Sequence, residues 1–206
     1  MTKEGLLFPL PFLILTVVMI LIFNWTGKTH YAYLSTIFFI LSMSIMLFFR
    51  DPERKVPTGD KLIIAPADGK IIVLRDNDDG VTISTFMSVF NVHINRSPVD
   101  GEVKSVTFFP GKFLSAFKED ALKENQRNEI VYSTKSGEVR MHQVTGAIAR
   151  RTIFNLKAGD KVTAGDKVGL IRFGSRVDLF LPAGSEIDVK LKQKVRGGET
   201  VIGRLP

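Results

Sequence analysis

Two long apolar runs near the N-terminus constrain the fold of this 206-residue chain more than any other feature of its sequence. The first covers positions 6–23 and the second positions 33–49, and neither contains a charged residue. A helix needs about 20 apolar residues, within a range of roughly 17–25, to span the hydrocarbon core of a bilayer. A cleaved signal peptide would explain the first run but not the second. We therefore predict a two-helix membrane hairpin over residues 1–49.

Basic residues flank both runs and the short connection between them: Lys3, Lys28, Arg50, Arg54 and Lys55. More of them lie beside the two outer ends than in the connection, and the ends of membrane helices that carry more Lys and Arg face the cytoplasm. We expect a protein of the cell (inner) membrane whose residues 50–206 lie on the cytoplasmic face. Pro9 and Pro11 weaken the first helix, so a hairpin that dips into one leaflet without crossing stays open as an alternative.

The composition limits which partners residues 50–206 can bind and which chemistry they can carry out. Positions 1–49 contain two basic residues and one acidic residue, so nearly all of the net charge of +7 belongs to residues 50–206. A basic domain suits an anionic partner, and beside a membrane hairpin we expect anionic phospholipid and no nucleic acid. The chain has no cysteine, which excludes disulfides, thiolate metal sites and a cysteine nucleophile.

The pattern after the second apolar run is that of a mainly β domain. Residues 50–59 are charged, contain two prolines and predict a linker. We then predict strands at 62–65, 70–74, 81–86, 101–109, 129–134 and 139–146, further strands from Ile148 to the C-terminus, and one helix over Phe113–Asn125. Two Ala-Gly-Asp-Lys-Val segments, at 158–162 and 164–168, each predict a turn. Such closely spaced turns favour a barrel-sandwich-type domain resembling biotinyl and lipoyl carriers, with one or two helices.

Few residues suit catalysis by the usual patterns. His30, His93 and His142 are the three histidines, and their spacing matches no zinc motif, so we expect no metal. The ordinary interpretation of His93 is a solvated loop residue, and that of His142 is an outward-facing strand residue. Asp68 would ordinarily stabilise its own turn. A carboxylate near either of the last two histidines would instead orient an imidazole that deprotonates the hydroxyl of Ser175.

Several motifs follow the apolar hairpin in a fixed order: Phe49-Arg50-Asp51-Pro52-Glu53-Arg54, Ala65-Pro66-Ala67-Asp68-Gly69, Asn91-Val92-His93-Ile94-Asn95-Arg96-Ser97-Pro98, Gly146-Ala147-Ile148-Ala149-Arg150-Arg151 and Phe173-Gly174-Ser175-Arg176. Each motif alone is a weak signal. All of them in this order are specific, and they extend over nearly the whole chain. The chain resembles the short (type A-like) form of the phosphatidylserine decarboxylase family, whose members are pyruvoyl-dependent.

The resemblance implies that the chain cuts its own backbone. The Ser175 hydroxyl would attack the carbonyl of Gly174 and convert the amide into an ester, and elimination would leave a dehydroalanine that hydrolyses to a pyruvoyl group. Residues 1–174 and 175–206 would result and stay associated. Glycine suits position 174 because it tolerates a strained turn and leaves its carbonyl open to attack. The pyruvoyl carbonyl would then form a Schiff base with phosphatidylserine and accept electrons as CO2 leaves, giving phosphatidylethanolamine.

The resemblance also implies roles for individual residues. The expected catalytic residues are Ser175, Gly174, Asp68, His93 and His142, and the expected substrate-binding residues are Arg96, Arg150 and Arg151. Longer bacterial members carry two histidines three positions apart before a proline, where this chain has His93 and Arg96. If the second of those histidines is the base for self-cleavage in the longer members, its role here belongs to another residue, such as His142, or the mechanism differs.

Alternatives to this function remain at the level of sequence. A non-catalytic membrane-tethered adaptor, whose β domain only binds a partner, is one. A decarboxylase of a related, archaeal ether-type aminophospholipid is another. The sequence also leaves open whether the chain forms a homo-oligomer.

Overall fold

The computed structural model describes residues 3–115, 121–147, 152–154, 156–171 and 175–206. Strands account for 40% of the structure and helices for 23%, which confirms the predicted mainly β class. The chain divides into two compact units, Met1–Glu53 and Arg54–Pro206.

The first unit contains the predicted pair of apolar helices. Helix α1 covers Lys3–Leu7, α2 covers Leu10–Thr26 and α3 covers Thr29–Phe48. The break between α1 and α2 falls at Pro9, as expected for a residue without an amide hydrogen. The Ser42 hydroxyl of α3 donates to the carbonyl oxygen of Pro9 at 3.2 Å. Gly27 ends α2 in the left-handed conformation, with φ of 67°, and this permits the tight connection. Both helical stretches are long and apolar enough to cross a membrane.

The described part of the second unit contains fourteen strands and one short helix. The strands are β1 (Leu62–Ile64), β2 (Gly69–Asn77), β3 (Gly80–Met87), β4 (Ile94–Arg96), β5 (Gly101–Phe109), β6 (Arg127–Thr134), β7 (Gly137–Val144), β8 (Thr152–Phe154), β9 (Lys161–Val162), β10 (Lys167–Ile171), β11 (Ser175–Leu181), β12 (Glu186–Ile187), β13 (Lys194–Val195) and β14 (Val201–Arg204). The helix, α4, covers Ala121–Glu124.

Three sheets organise these strands. The largest is a curled eight-stranded sheet with the order β13-β2-β3-β11-β7-β6-β5-β9. Two three-stranded sheets have the orders β4-β10-β8 and β1-β14-β12. Strand β11 therefore lies inside the large sheet, where it pairs antiparallel with β3 on one side and β7 on the other.

Alternation along β11 separates two kinds of buried side chain. Val177, Leu179 and Leu181 belong to the hydrophobic core of the domain. Arg176 and Asp178 point to the opposite face of the sheet because successive side chains of a strand alternate. Both are nevertheless buried, with exposures of 2% and 0%. The strand is thus enclosed on both faces, with an apolar core on one and a charged pair on the other.

The two Ala-Gly-Asp-Lys-Val segments form the turns predicted for them. Gly159 and Gly165 have φ of 92° and 89°, values that favour glycine. The Asp160 carboxylate accepts the amide hydrogen of Lys157, and Asp166 does the same for Thr163, both at 2.7 Å. Each aspartate therefore closes its own turn before a short strand begins.

The predicted helix over Phe113–Asn125 is wrong at its start. Residues 113–115 are not helical, residues 116–120 lie outside the described residues, and α4 alone is helical within the predicted range. The Asn125 side chain accepts the amide hydrogen of Leu114 and donates to its carbonyl, both at 2.8 Å. These two bonds satisfy the backbone that a helix would otherwise satisfy, and they hold the segment as a loop.

Candidate functional site

Ser175 is the first residue of the enclosed strand β11. It faces Met87, the last residue of β3, in the ladder, and its side chain has no exposed surface. The serine hydroxyl lies 3.8 Å from the Met87 sulfur. Gly174 lies outside the described residues, so its expected role stays a prediction. The expected nucleophile is thus a buried hydroxyl at the point where the chain enters the sheet.

A chain of buried amide side chains leads to the same methionine. The Asn95 Nδ2 donates to the Met87 sulfur at 3.5 Å, and the Gln143 Nε2 donates to the Asn95 Oδ1 at 2.8 Å. The Asn128 Nδ2 donates to the Thr152 hydroxyl at 2.8 Å and approaches the Gln143 Oε1 at 3.4 Å. We refer to Asn95, Gln143 and Asn128 as the amide chain.

The amide chain joins two sheets. Asn95 belongs to β4 of the small β4-β10-β8 sheet, whereas Gln143 and Asn128 belong to β7 and β6 of the large one. Gln143 faces Val177 in the ladder, so it lies on the same face of the sheet as Ser175. A satisfied network of buried polar groups fixes side-chain positions more strictly than apolar packing does. The amide chain therefore fixes the Met87 side chain, whose sulfur lies beside the serine hydroxyl.

His93 directly precedes β4, the strand that carries Asn95. It is fully buried, so the solvated-loop interpretation is wrong. Its carbonyl accepts the amide hydrogen of Ile171, at the end of β10, so the pairing of β4 with β10 continues to His93. Side chains two positions apart in an extended segment point to the same side, and by this rule the His93 side chain points to the same side as that of Asn95. The His93 Nδ1 lies 2.9 Å from the carbonyl oxygen of Asn91. Because a carbonyl only accepts, Nδ1 carries the hydrogen, and a neutral imidazole keeps its lone pair on Nε2.

His142 lies on the opposite face. It pairs with Asp178 of β11 and with Glu129 of β6, and its Nε2 is 2.7 Å from the Glu129 carboxylate. Burial lowers the pKa of the imidazole below its ordinary value, and the bond to Glu129 offsets part of that effect. The outward phase predicted for His142 is confirmed, but the side chain is buried, with 8% exposure. Alternation directs it away from the face that carries the serine.

Asp68 contacts an arginine where the sequence pointed to a histidine. Both of its carboxylate oxygens accept hydrogens from the Arg54 guanidinium, at 2.9 and 3.0 Å, and one also accepts the amide hydrogen of Gly197. Arg54 reaches Glu199 as well, at 3.3 Å. These bonds tie the chain entering the domain to the turn before β2 and to the C-terminal segment. Any role of Asp68 in self-cleavage stays a prediction.

Of the three arginines expected to bind the substrate, Arg96 is the one that the structure describes. Arg96 is buried, and its guanidinium donates to the carbonyl of Gly165 at 2.8 Å. Arg150 and Arg151 lie outside the described residues. A contact between any of the three and a phosphate group stays a prediction.

A buried ion pair directly follows the serine. The Arg176 Nε donates to the Asp178 carboxylate at 2.6 Å, and its Nη2 donates to the Ser84 hydroxyl at 2.9 Å. Burial raises the pKa of Asp178, and the Arg176 charge opposes that rise. Removing one partner would leave the other charge buried without compensation, which is strongly destabilising. The two side chains therefore depend on each other, on the face of β11 opposite the amide chain.

Two cavities among the described residues lie at the other end of the large sheet. One, of about 270 Å³, is lined in part by Val81 and Leu181, at the far end of the β3–β11 ladder. The other, of about 510 Å³, is lined in part by Gly101 and Ser133, at the far end of β5 and β6. The site around Ser175 is thus defined by its buried hydroxyl and not by either of these cavities.

Sequence reasoning missed the amide chain and the pairs Arg54–Asp68 and Arg176–Asp178. One local signal was present for Gln143. It alternates with Met141, a core residue, so the strand pattern places it in the core phase, where an amide needs a partner. The partner itself belongs to another sheet, and local periodicity contains no information about it.

Replacing Gln143 by leucine tests the amide chain. The substitution leaves the polar groups of Asn95 and Asn128 buried without their amide partner, which costs about 1–3 kcal/mol per group. We expect a lower free energy of unfolding in urea. Gln193→Leu, in a partly exposed turn, is the matched control and should behave as wild type. A Gln143→Leu protein with wild-type stability would show that the amide chain does not stabilise the domain.

Known proteins resemble this chain over most of its length. The sequence model of the phosphatidylserine decarboxylase family matches residues 41–203. A protein of Chlorobaculum tepidum is 46% identical over 165 residues, which are 77% of this chain and 76% of the relative. One of Desulfotalea psychrophila is 44% identical over 84% of both chains. One of Paraburkholderia phymatum is 41% identical over 95% of this chain and 94% of its own.

All three relatives are named phosphatidylserine decarboxylase proenzyme. The family match covers Asp68, His93, His142 and Ser175, and the longest of the three alignments covers nearly the whole chain. This chain therefore belongs to the phosphatidylserine decarboxylase family and is a carboxy-lyase.

Proposed function

We propose that this protein decarboxylates phosphatidylserine to phosphatidylethanolamine with a pyruvoyl group that it makes by cutting its chain between Gly174 and Ser175. The observation that carries the proposal is the placement of Ser175. It is a buried hydroxyl at the first position of an enclosed strand, in a chain whose relatives are named proenzymes. The family membership favours this function over the adaptor alternative.

The surroundings of Ser175 fit a pyruvoyl group in its place. The position is excluded from water, lies against the Met87 sulfur and is supported by the amide chain. A pyruvoyl group there would supply a carbonyl that binds the substrate amine and withdraws electrons from the breaking bond. The β3 and β7 ladders on either side of β11 would hold the new chain end in position after the cut.

His93 is the best-placed base for the cut. It is buried on the side of the sheet that carries Ser175, and the Asn91 carbonyl orients its ring so that Nε2 keeps the lone pair. A positioned base accelerates proton transfer by about 10²–10⁴-fold. His142 belongs to the other face, so we assign it to the support of β11 through Asp178 and Glu129. Arg96, Arg150 and Arg151 remain candidates for the substrate phosphate.

Replacing Ser175 by alanine tests the proposal. The variant lacks the nucleophile, so we expect one uncut chain and no CO2 from carboxyl-labelled phosphatidylserine, whereas the wild type gives residues 1–174 and 175–206. Ser185→Ala is the matched control, because the Ser185 hydroxyl only donates to a turn carbonyl. An active wild-type protein that stays a single chain would refute the pyruvoyl mechanism. A wild type that stays single and inactive in a membrane would favour the adaptor.

A histidine series tests the choice of base. His93→Gln should slow the cut by about 10²-fold or more while the protein stays folded. His142→Gln should leave the cut close to the wild-type rate in the fraction that folds, because its ring lies on the other face. Asp68→Asn should act mainly by weakening the bond to Arg54, and so by lowering stability. Gel analysis gives the cutting rate and circular dichroism gives the folded fraction. A normal cutting rate in folded His93→Gln would remove His93 from this step.

We also propose that the protein is an inner-membrane protein with residues 50–206 on the cytoplasmic side. The proposal is supported by the two candidate spans and by the basic residues at their outer ends. Protease added to sealed right-side-out vesicles should spare these residues, and the same protease should digest them in inverted vesicles. Digestion in right-side-out vesicles would overturn the orientation.

A further inference from the structure

Exposed apolar side chains of the second unit gather at one end of the large sheet. Five large hydrophobic side chains are exposed among its described residues: Val89, Phe90, Phe108, Phe113 and Leu191. Phe90 is the most exposed, at 83%, and Phe108 follows at 56%. Water-exposed aromatic side chains in a cluster mark an interaction surface. Val89 and Phe90 belong to the segment that follows β3, Phe113 belongs to the segment that follows β5, and Phe108 is the penultimate residue of β5 itself.

The strand register places these two segments at the Ser175 end of the sheet. One row of paired residues crosses five strands there: Phe86, Arg176, Val144, Arg127 and Phe109. Strand β3 ends one residue beyond this row, β5 ends in it, and β11 begins one residue before it. The loops that leave β3 and β5 therefore project from the edge at which Ser175 enters the sheet.

Each loop is held in shape by an asparagine side chain. In residues 88–91, the first apolar loop, the Asn91 Oδ1 accepts the amide hydrogen of Ser88 at 2.9 Å and its hydroxyl hydrogen at 2.7 Å. In residues 110–115, the second apolar loop, the Asn125 side chain bonds both backbone groups of Leu114. Local bonds of this kind fix a loop without help from its apolar residues. The loops thus present Val89, Phe90 and Phe113 outward in a defined conformation.

Basic groups accompany the aromatic ones. The Arg127 guanidinium lies 4.5 Å from the centre of the Phe109 ring. Lys112, in the second apolar loop, is largely exposed and lies 2.8 Å from the Glu124 carboxylate. Aromatic rings beside long basic side chains are typical of surfaces that enter the headgroup layer, since the rings reach the acyl boundary and the cations meet lipid phosphates.

We propose that the two apolar loops insert into the interfacial layer of a phospholipid bilayer and hold the Ser175 end of the sheet against the headgroups. The inference rests on the proposed function in taking a membrane lipid as the substrate. The chain itself carries two candidate membrane spans, which would tether its β domain to a bilayer. A lipid headgroup would then reach the buried serine without leaving the membrane.

Spin labels on the full-length protein test the insertion. The chain has no cysteine, so Phe90→Cys, Phe113→Cys and Leu191→Cys each introduce one site for a nitroxide. The proteins are placed in vesicles of phosphatidylcholine and phosphatidylglycerol. We expect labels at 90 and 113 to be relaxed by oxygen and protected from a water-soluble nickel chelate, as in the acyl boundary. The control label at 191, in the turn before β13, should show the reverse.

Two results would overturn the proposal. Labels at 90 and 113 that respond like the one at 191 would show that the loops stay in water. Spin–spin broadening that disappears on dilution with unlabelled protein would show that a second copy covers the loops. Val89→Cys repeats the measurement in the first apolar loop if Phe90→Cys does not fold. The vesicles contain no phosphatidylserine, so the depth result is independent of cutting and of CO2 release, which test the proposed function separately.

Discussion

The structure depends on the pairing of β11 along both of its edges. Its ladder with β3 covers all seven residues from Ser175 to Leu181, and β7 pairs with five of them. A chain end created just before Ser175 would leave those backbone bonds in place. Later strands of the same segment also pair with strands from the other side of the cut, β13 with β2 and β14 with β1. Separating the segments would expose the backbone groups of several strands at once, which explains why a cut chain would remain one domain.

The two faces of β11 contact different kinds of buried polar group. On one face, the amide chain and Met87 define the place of the serine hydroxyl. On the other, Arg176 and Asp178 form a buried pair that Ser84 extends. A buried pair contributes little net stability but makes alternative registers costly, since a shift by one residue would bring both charges into the apolar core. The register that protects the core therefore also sets the position of Ser175.

How much of this could be predicted depends on the distance between partners in the sequence. The two apolar helices and the Gly-Asp turns are local patterns, and the sequence predicted them correctly. The helix over Phe113–Asn125 failed because the Asn125 side chain bonds Leu114, eleven residues away, a contact that periodicity does not encode. The partner of Asp68 was missed for a similar reason. Arg54 lies in a segment that looks like a linker, and only the folded chain shows that it belongs to the domain.

The candidate site shows the same limit. The motif around Ser175 identified the residue through a resemblance, while the base for self-cleavage stayed unassigned, with His142 named as one candidate. Strand phase separates His142 from His93, since the first pairs with Asp178 and the second shares the phase of Asn95. Our proposal of His93 as the base thus rests on the register of β11 with β7 and on the packing of β4 on the large sheet, neither of which a single sequence specifies.

The most direct measurement of the central claim is the intact mass of the segment 175–206 after purification under denaturing conditions. A pyruvoyl end makes this segment lighter, by the mass of one ammonia, than the segment that begins with an ordinary serine, and borohydride in the presence of an amine should shift its mass further. We expect the lighter mass in the wild-type protein. A segment that carries an unmodified serine in fully active enzyme would contradict it.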